Sequence, residues 1–137
     1  MILKTKKYSL HCHHRLISKQ LSHQENLKVF SKCMGQYGHG HEYLVRLSFF
    51  IQSNDFELEK KVDQHIDDCL ITPFSYQSIN QVFDSIGVDN SITTGEQIVK
   101  IFALLLQKDP LSECYYKIEV VETRKNSFFH FFENKAD

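Results

Sequence analysis

A chain of 137 residues with 16 basic and 17 acidic side chains, net charge −1, is long enough for one domain with a real core and too short for two, so residues 1–137 read as a single functional unit. The even balance sets up no field of one sign to draw nucleic acid or an anionic membrane, Lys4 breaks the apolar start that a signal peptide would extend, and no run approaches the ~18 apolar residues of a membrane span. Four scattered cysteines, Cys12, Cys33, Cys69 and Cys114, show neither a C-x-x-C pair nor the density of a disulfide-built secreted domain, which points to a soluble cytoplasmic protein with a small-molecule partner.

From Lys7 to Leu16 the residues alternate, with Tyr8, Leu10, Cys12, His14 and Leu16 on one face and Lys7, Ser9, His11, His13 and Arg15 on the other, as in a half-buried strand. A second alternation starts at His39 and carries Tyr43, Val45, Leu47 and Phe49 on one face, with Glu42, Arg46, Ser48 and Gln52 opposite. Residues 18–37 between them follow neither period, and a loop of that length in a compact domain usually has a task. Leu58, Val62, Ile66, Cys69 and Leu70 then recur at helical spacing, with Pro73 placed as a stop just beyond the helix end. A mixed stretch over 74–92 includes a short helical turn near Gln81–Ile86. Thr93 and Thr94 precede Ile98, Ile101, Phe102 and Leu105, a second amphipathic helix opened by the T-x-x-E pattern of a capping box and closed by Asp109-Pro110. Tyr116, Ile118 and Val120 alternate with Lys117 and Glu119, the Arg124-Lys125-Asn126 turn reverses the chain, and Ser127 to Phe132 gives a last aromatic strand. The order β-β-α-α-β-β predicts an α+β domain, an antiparallel four-stranded sheet with two helices on one face.

Five of the eight histidines fall in two clusters, His11-Cys12-His13-His14 and His39-Gly40-His41. Side chains two apart on a strand share a face, so His39 and His41 present their imidazoles together, with Cα atoms ~6.6 Å apart, and both reach one metal ion. Zinc suits imidazole nitrogen, and a catalytic zinc takes three protein ligands with one position open. The third ligand is expected from His14, on the inward series of the neighbouring strand, whereas His11 and His13 point the other way. H-x-H alone is weak. Its weight comes from both clusters setting histidine on a face otherwise apolar, where an imidazole without a partner is costly to bury. Cys33, six residues before His39, is either a thiolate base or nucleophile favoured by a nearby cation or a loop cysteine of no consequence. Glu122 continues the inward series of its strand and needs a ligand or a salt bridge to Arg15 or Arg46. Glu96 is accounted for as the capping-box partner of Thr93.

Taken in order, these residues resemble the 6-pyruvoyl-tetrahydropterin synthase family and its relative, 6-carboxytetrahydropterin synthase of queuosine biosynthesis. His14-Arg15-Leu16 is similar to the family's H-R-L, and Cys33 with five residues to His39-Gly40-His41-Glu42-Tyr43 is similar to its C-x-x-x-x-x-H-G-H-x-Y. Thr94-Gly95-Glu96 is similar to its T-x-E and Val121-Glu122-Thr123 to its V-x-E-T. The resemblance spans nearly the whole chain and implies the tunnelling fold, an oligomeric barrel built as a homohexamer of two trimers, and an active site between subunits. It implies a Zn²⁺ held by His14, His39 and His41, Cys33 as the proton-abstracting residue, Glu122 as the anchor of the pterin ring, and Thr94 and Glu96 framing the same pocket. The activity it implies is a carbon–oxygen lyase of tetrahydrobiopterin biosynthesis acting on 7,8-dihydroneopterin triphosphate. In the chemistry this implies, the metal would supply polarisation of the substrate, a thiolate would remove a proton, and triphosphate would leave or the side chain be cleaved. The six-residue step from Cys33 to His39 is that of the pyruvoyl synthases, so the carboxy-pterin product stands second. One departure is plain: where the family carries P-L-D-H, whose Asp and His relay protons, this chain has Pro73-Phe74-Ser75-Tyr76. Tyr76 or His65 then stands in for the relay, or the chain is a catalytically altered pterin-binding paralogue.

Overall fold

The computed structural model describes residues 1–14, 24, 39–88 and 93–133, with the backbone alone described at 39–41. Two thirteen-residue strands, β1 (Ile2–His14) and β2 (His39–Ile51), pair antiparallel from Ile2↔Ile51 to His14↔His39. β3 (Tyr115–Val121) lies against β2 and β4 (Ser127–Phe131) against β3, so the sheet order is β1-β2-β3-β4 and every neighbour is antiparallel. The alternation read from the sequence holds: Leu10, Cys12 and His14 in β1, and Tyr43, Val45, Leu47, Phe49 and Ile51 in β2, are buried on one face.

The helices cover that face. α1 (Phe56–Ile66) starts at Asp55, whose carboxylate accepts from Leu58 N, and buries Val62, His65 and Ile66. It runs on through a wider π turn, Asp67–Ile71, into a closing turn, Thr72–Phe74. Pro73 therefore sits inside the last turn rather than beyond it. The wider turn has already broken the regular ladder there, so the N–H that proline lacks interrupts no further α-helical bonding. A short helix, α2 (Ile79–Ser85), is capped by Ser78 and matches the expected turn. α3 (Gly95–Leu106) buries Ile98, Val99, Ile101, Phe102, Ala103 and Leu106, each large side chain worth ~1.5–3 kcal/mol on leaving water. Its cap is Thr94, which accepts from Gln97 N at 3.3 Å, and not Thr93. Thr94-Gly95-Glu96-Gln97 is an equally good capping box, and the helix starts one residue later than T-x-x-E suggests. Gly95 is required by close approach, because a Cβ there would run into the Phe128 ring of β4.

Tyr116 was expected inside with Ile118 and Val120. A bulge between Ser48 and Phe49 shifts the β2–β3 register, so that Tyr115 pairs with Phe49 and is buried while Tyr116 is exposed. The bulge brings the Tyr115 hydroxyl within 2.6 Å of His65 Nδ1, a buried pair. Burial holds the His65 pKa below its ordinary 6.5, against the opposing pull of Asp109 and Asp68. The folded protein therefore binds a proton at His65 less readily than the unfolded chain does. Its stability contribution is fully present above 6.5 and falls as the pH drops through that value towards the lowered one. Urea titrations at pH 7.5, 6.5 and 5.5 should show a steeper loss of stability below 6.5 in the wild type than in His65→Gln, and parallel curves would refute this account.

Candidate metal centre

His14 ends β1 with 1% of its surface exposed, on the inner face beyond Leu10 and Cys12. Its Nδ1 is 3.1 Å from Thr93 Oγ1, a buried contact across 79 residues of sequence. Its Nε2 lies 3.7 Å from Glu122 Oε1, and its ring meets Tyr43 edge-on at 6.3 Å. Glu122 stands just past β3, where its N–H donates to Asn126 O at 2.9 Å and the 123–126 turn begins. Arg46 pairs instead with Glu119 at 3.0 Å, and Arg15 lies outside the described residues.

The pairing His14↔His39 sets those two Cα positions side by side, and position 41 has the parity of 39 and of the buried Tyr43. Cross-strand neighbours stand ~4.5–5.5 Å apart and alternate residues ~6.6 Å, backbone spacings short enough for residues at the three positions to share one ion. The three backbone positions thus fit a zinc ion. Among the described residues no group of three His, Cys, Asp or Glu side chains forms a metal cage; the side chains of His39 and His41, and all of Cys33, lie outside them. Cys12, on the inner face beside this end, is an apolar core thiol whose pKa burial pushes up to about 12, far from a nucleophile.

The other candidates are dispersed. Thr94 is the helix cap, and Glu96, exposed on the first turn of α3, borders a groove of about 330 Å³ with Lys100, Phe128 and His130. His65 touches Tyr115, whose partner Phe49 is ten residues along β2 from His39, about 33 Å at strand rise. It is remote from His14. Tyr76 is 78% exposed and stacks on His11, with centroids 5.6 Å apart and planes 2° off parallel. Its N–H donates to His11 O at 2.5 Å and His13 N–H donates to Gln77 O at 3.1 Å, so residues 76–78 cover the end of the β1 edge. His11 and His14 lie on opposite faces, so Tyr76 does not approach His14 of its own chain. Sequence reasoning missed His11 and Thr93. The only signal for Thr93 was the Thr93-Thr94 doublet, in which one hydroxyl caps the helix and the other reaches elsewhere.

Comparison with known proteins bears on this arrangement. 6-Pyruvoyl tetrahydrobiopterin synthase of Homo sapiens is 28% identical over 130 residues, covering 89% of this chain and 86% of the human protein. The synthase of Poecilia reticulata is 30% identical over 121 residues, 82% of this chain and 78% of that protein. The chain belongs to the 6-pyruvoyl tetrahydrobiopterin synthase family. The structure of Caenorhabditis elegans 6-pyruvoyl tetrahydropterin synthase aligns with a TM-score of 0.75 over 96% of both chains at 21% identity, so the fold is the tunnelling fold of that family. No family model matches the chain. Among the described residues no helix is long and apolar enough to cross a membrane.

Tyr76 has a φ of 58°, a left-handed conformation costly for a bulky side chain. Tyr76→Gly should therefore leave the melting temperature unchanged or higher despite the lost stack, whereas Tyr76→Val should lower it by several degrees. Equal losses in the two variants would mean that the backbone there is unstrained.

Proposed function

We propose that the chain is a cytoplasmic zinc-dependent carbon–oxygen lyase acting on 7,8-dihydroneopterin triphosphate. Family membership supports this reading, and the observation that carries it is the buried His14 paired in register with His39. His14, His39 and His41 would hold the metal, which when bound supplies Lewis-acid polarisation of the substrate side chain. Cys33 takes the proton, and Glu122 receives the pterin ring through two parallel hydrogen bonds to its carboxylate. The Glu122 carboxylate stands 3.7 Å from His14 Nε2, so the ring it would receive lies beside the proposed metal. Thr94 and Glu96 frame the pocket. The single domain of residues 1–137 acts as a homohexamer, which removes the free edges of the sheet.

The first consequence is one zinc per chain. His14→Ala should lose the metal and His13→Ala, on the other strand face, should retain it. Metal analysis that finds no zinc in reconstituted wild type, or equal loss from both variants, contradicts the ligand assignment.

A second reading, a pterin binder without turnover, is favoured by one observation: the relay residues are replaced and Tyr76 turns outward onto His11. Incubation with dihydroneopterin triphosphate and product analysis separates the two. In an active enzyme Cys33→Ala should abolish triphosphate release while zinc and pterin binding persist. Tyr76→Phe should cost ~10²- to 10⁴-fold if its hydroxyl relays the proton and little if Cys33 acts alone. An inert wild type that gains turnover when Ser75 and Tyr76 are changed together to Asp and His establishes the binder instead.

A further inference from the structure

We propose that Thr93 is a positioning residue of the metal centre: its hydroxyl accepts from His14 Nδ1–H and holds the ring with Nε2 as the metal-binding nitrogen. The inference rests on the zinc reading above and adds to it a residue that family motifs and strand parity do not supply.

A neutral imidazole has one protonated nitrogen and one lone pair, and the partner of the first decides where the second points. Thr93 Oγ1 and His14 Nδ1 are 3.1 Å apart, Thr93 is fully buried and His14 is 1% exposed, so bulk water does not compete for the bond. When Nδ1–H donates to Oγ1, the lone pair falls on Nε2, the nitrogen that faces Glu122. Nε2 stands 3.7 Å from the Glu122 carboxylate, a charged group able to steady a cation.

Thr93 is itself held firmly. The next residue, Thr94, caps α3 through Gln97 N, and Gly95 packs directly beneath the Phe128 ring, so the start of the helix is fastened to β4. A hydroxyl on such a rigid support restrains a ring rather than following it. Partners of this kind on metal-binding histidines typically contribute 10- to 100-fold in metal affinity.

The test is zinc affinity by chelator competition in the full chain, with Thr93→Val and Thr93→Ser compared to wild type. Valine keeps the shape and removes the hydroxyl; serine keeps the hydroxyl and removes the methyl. Thr93→Val should bind zinc ~10- to 100-fold more weakly and Thr93→Ser within a few-fold of wild type. Valine binding as tightly as threonine, or serine failing as badly as valine, overturns the proposal while leaving the zinc reading intact. A wild type that takes up no zinc refutes the zinc reading first and this inference with it. Nitrogen NMR of His14 in the zinc-loaded wild type needs no variant: protonated Nδ1 with metal-bound Nε2 supports the proposal, and the reverse assignment overturns it.

Discussion

The thirteen-residue ladder between β1 and β2 is the constraint from which the rest of the structure follows. Side chains alternate with a period of two, so a slip of one residue would turn Leu10, Cys12 and His14 to solvent and bring His11 and His13 inside. The apolar series of β2, from Tyr43 to Ile51, fixes the register because only one pairing buries both strands' inner residues beneath the helices. That same register sets His14 opposite His39. The candidate arrangement at the end of the ladder is thereby a by-product of packing in its middle, and the core reaches it through Tyr43, whose ring meets His14 edge-on.

The inner face is apolar only in its centre. Towards the start of β1 it becomes ionic: Lys4 and Lys6 bind Glu59 and Asp63 of α1, and Tyr8 Oη donates to Asp63 at 2.7 Å. The two lysines hold the Glu59 carboxyl below its ordinary value, and burial with Asp63 pushes the Tyr8 hydroxyl up. These pairs are partly exposed, and each contributes little to stability. Their consequence is orientation, since α1 is tied by charge to one end of β1 and leaves the His14 end to the start of α3. The polar contacts at the two ends use different helices, so the candidate site can change without loosening the clamp at the other end.

Much of this was legible in the sequence because strand parity and helical spacing are local signals. The faces of β1 and β2, the inward His14, the two amphipathic helices and the final hairpin follow from periods of two and 3.6 alone. What was not legible depends on contacts between distant segments. Nothing near Tyr115 or Tyr116 announces which ring is buried; the register shift against Ser48 and Phe49 of the neighbouring strand, which leaves Tyr116 without a cross-strand partner in that ladder, decides it. Pro73 reads as a stop because a regular helix cannot pass it, yet the π turn ahead of it changes the local bonding. The two threonines before α3 are equivalent as caps until His14 arrives from 79 residues away and engages one of them.

The departure at residues 75 and 76 has a structural counterpart in where that segment sits. Tyr76 N–H to His11 O and His13 N–H to Gln77 O fasten the segment to the β1 edge at odd-numbered residues, whereas the candidate ligand of the same strand, His14, is even-numbered and inward. No rotation of the Tyr76 side chain carries it through the sheet to the other face. The segment and the His14 pocket share a strand but no described side-chain contact, so substitutions in one are expected to be nearly independent of the other in energy. Positions 75 and 76 can therefore vary while His14, Thr93 and Glu122 stay in place. If the proposed function holds, any proton relay from Tyr76 must reach the metal centre of a neighbouring subunit, because the backbone bonds that hold it exclude the centre of its own.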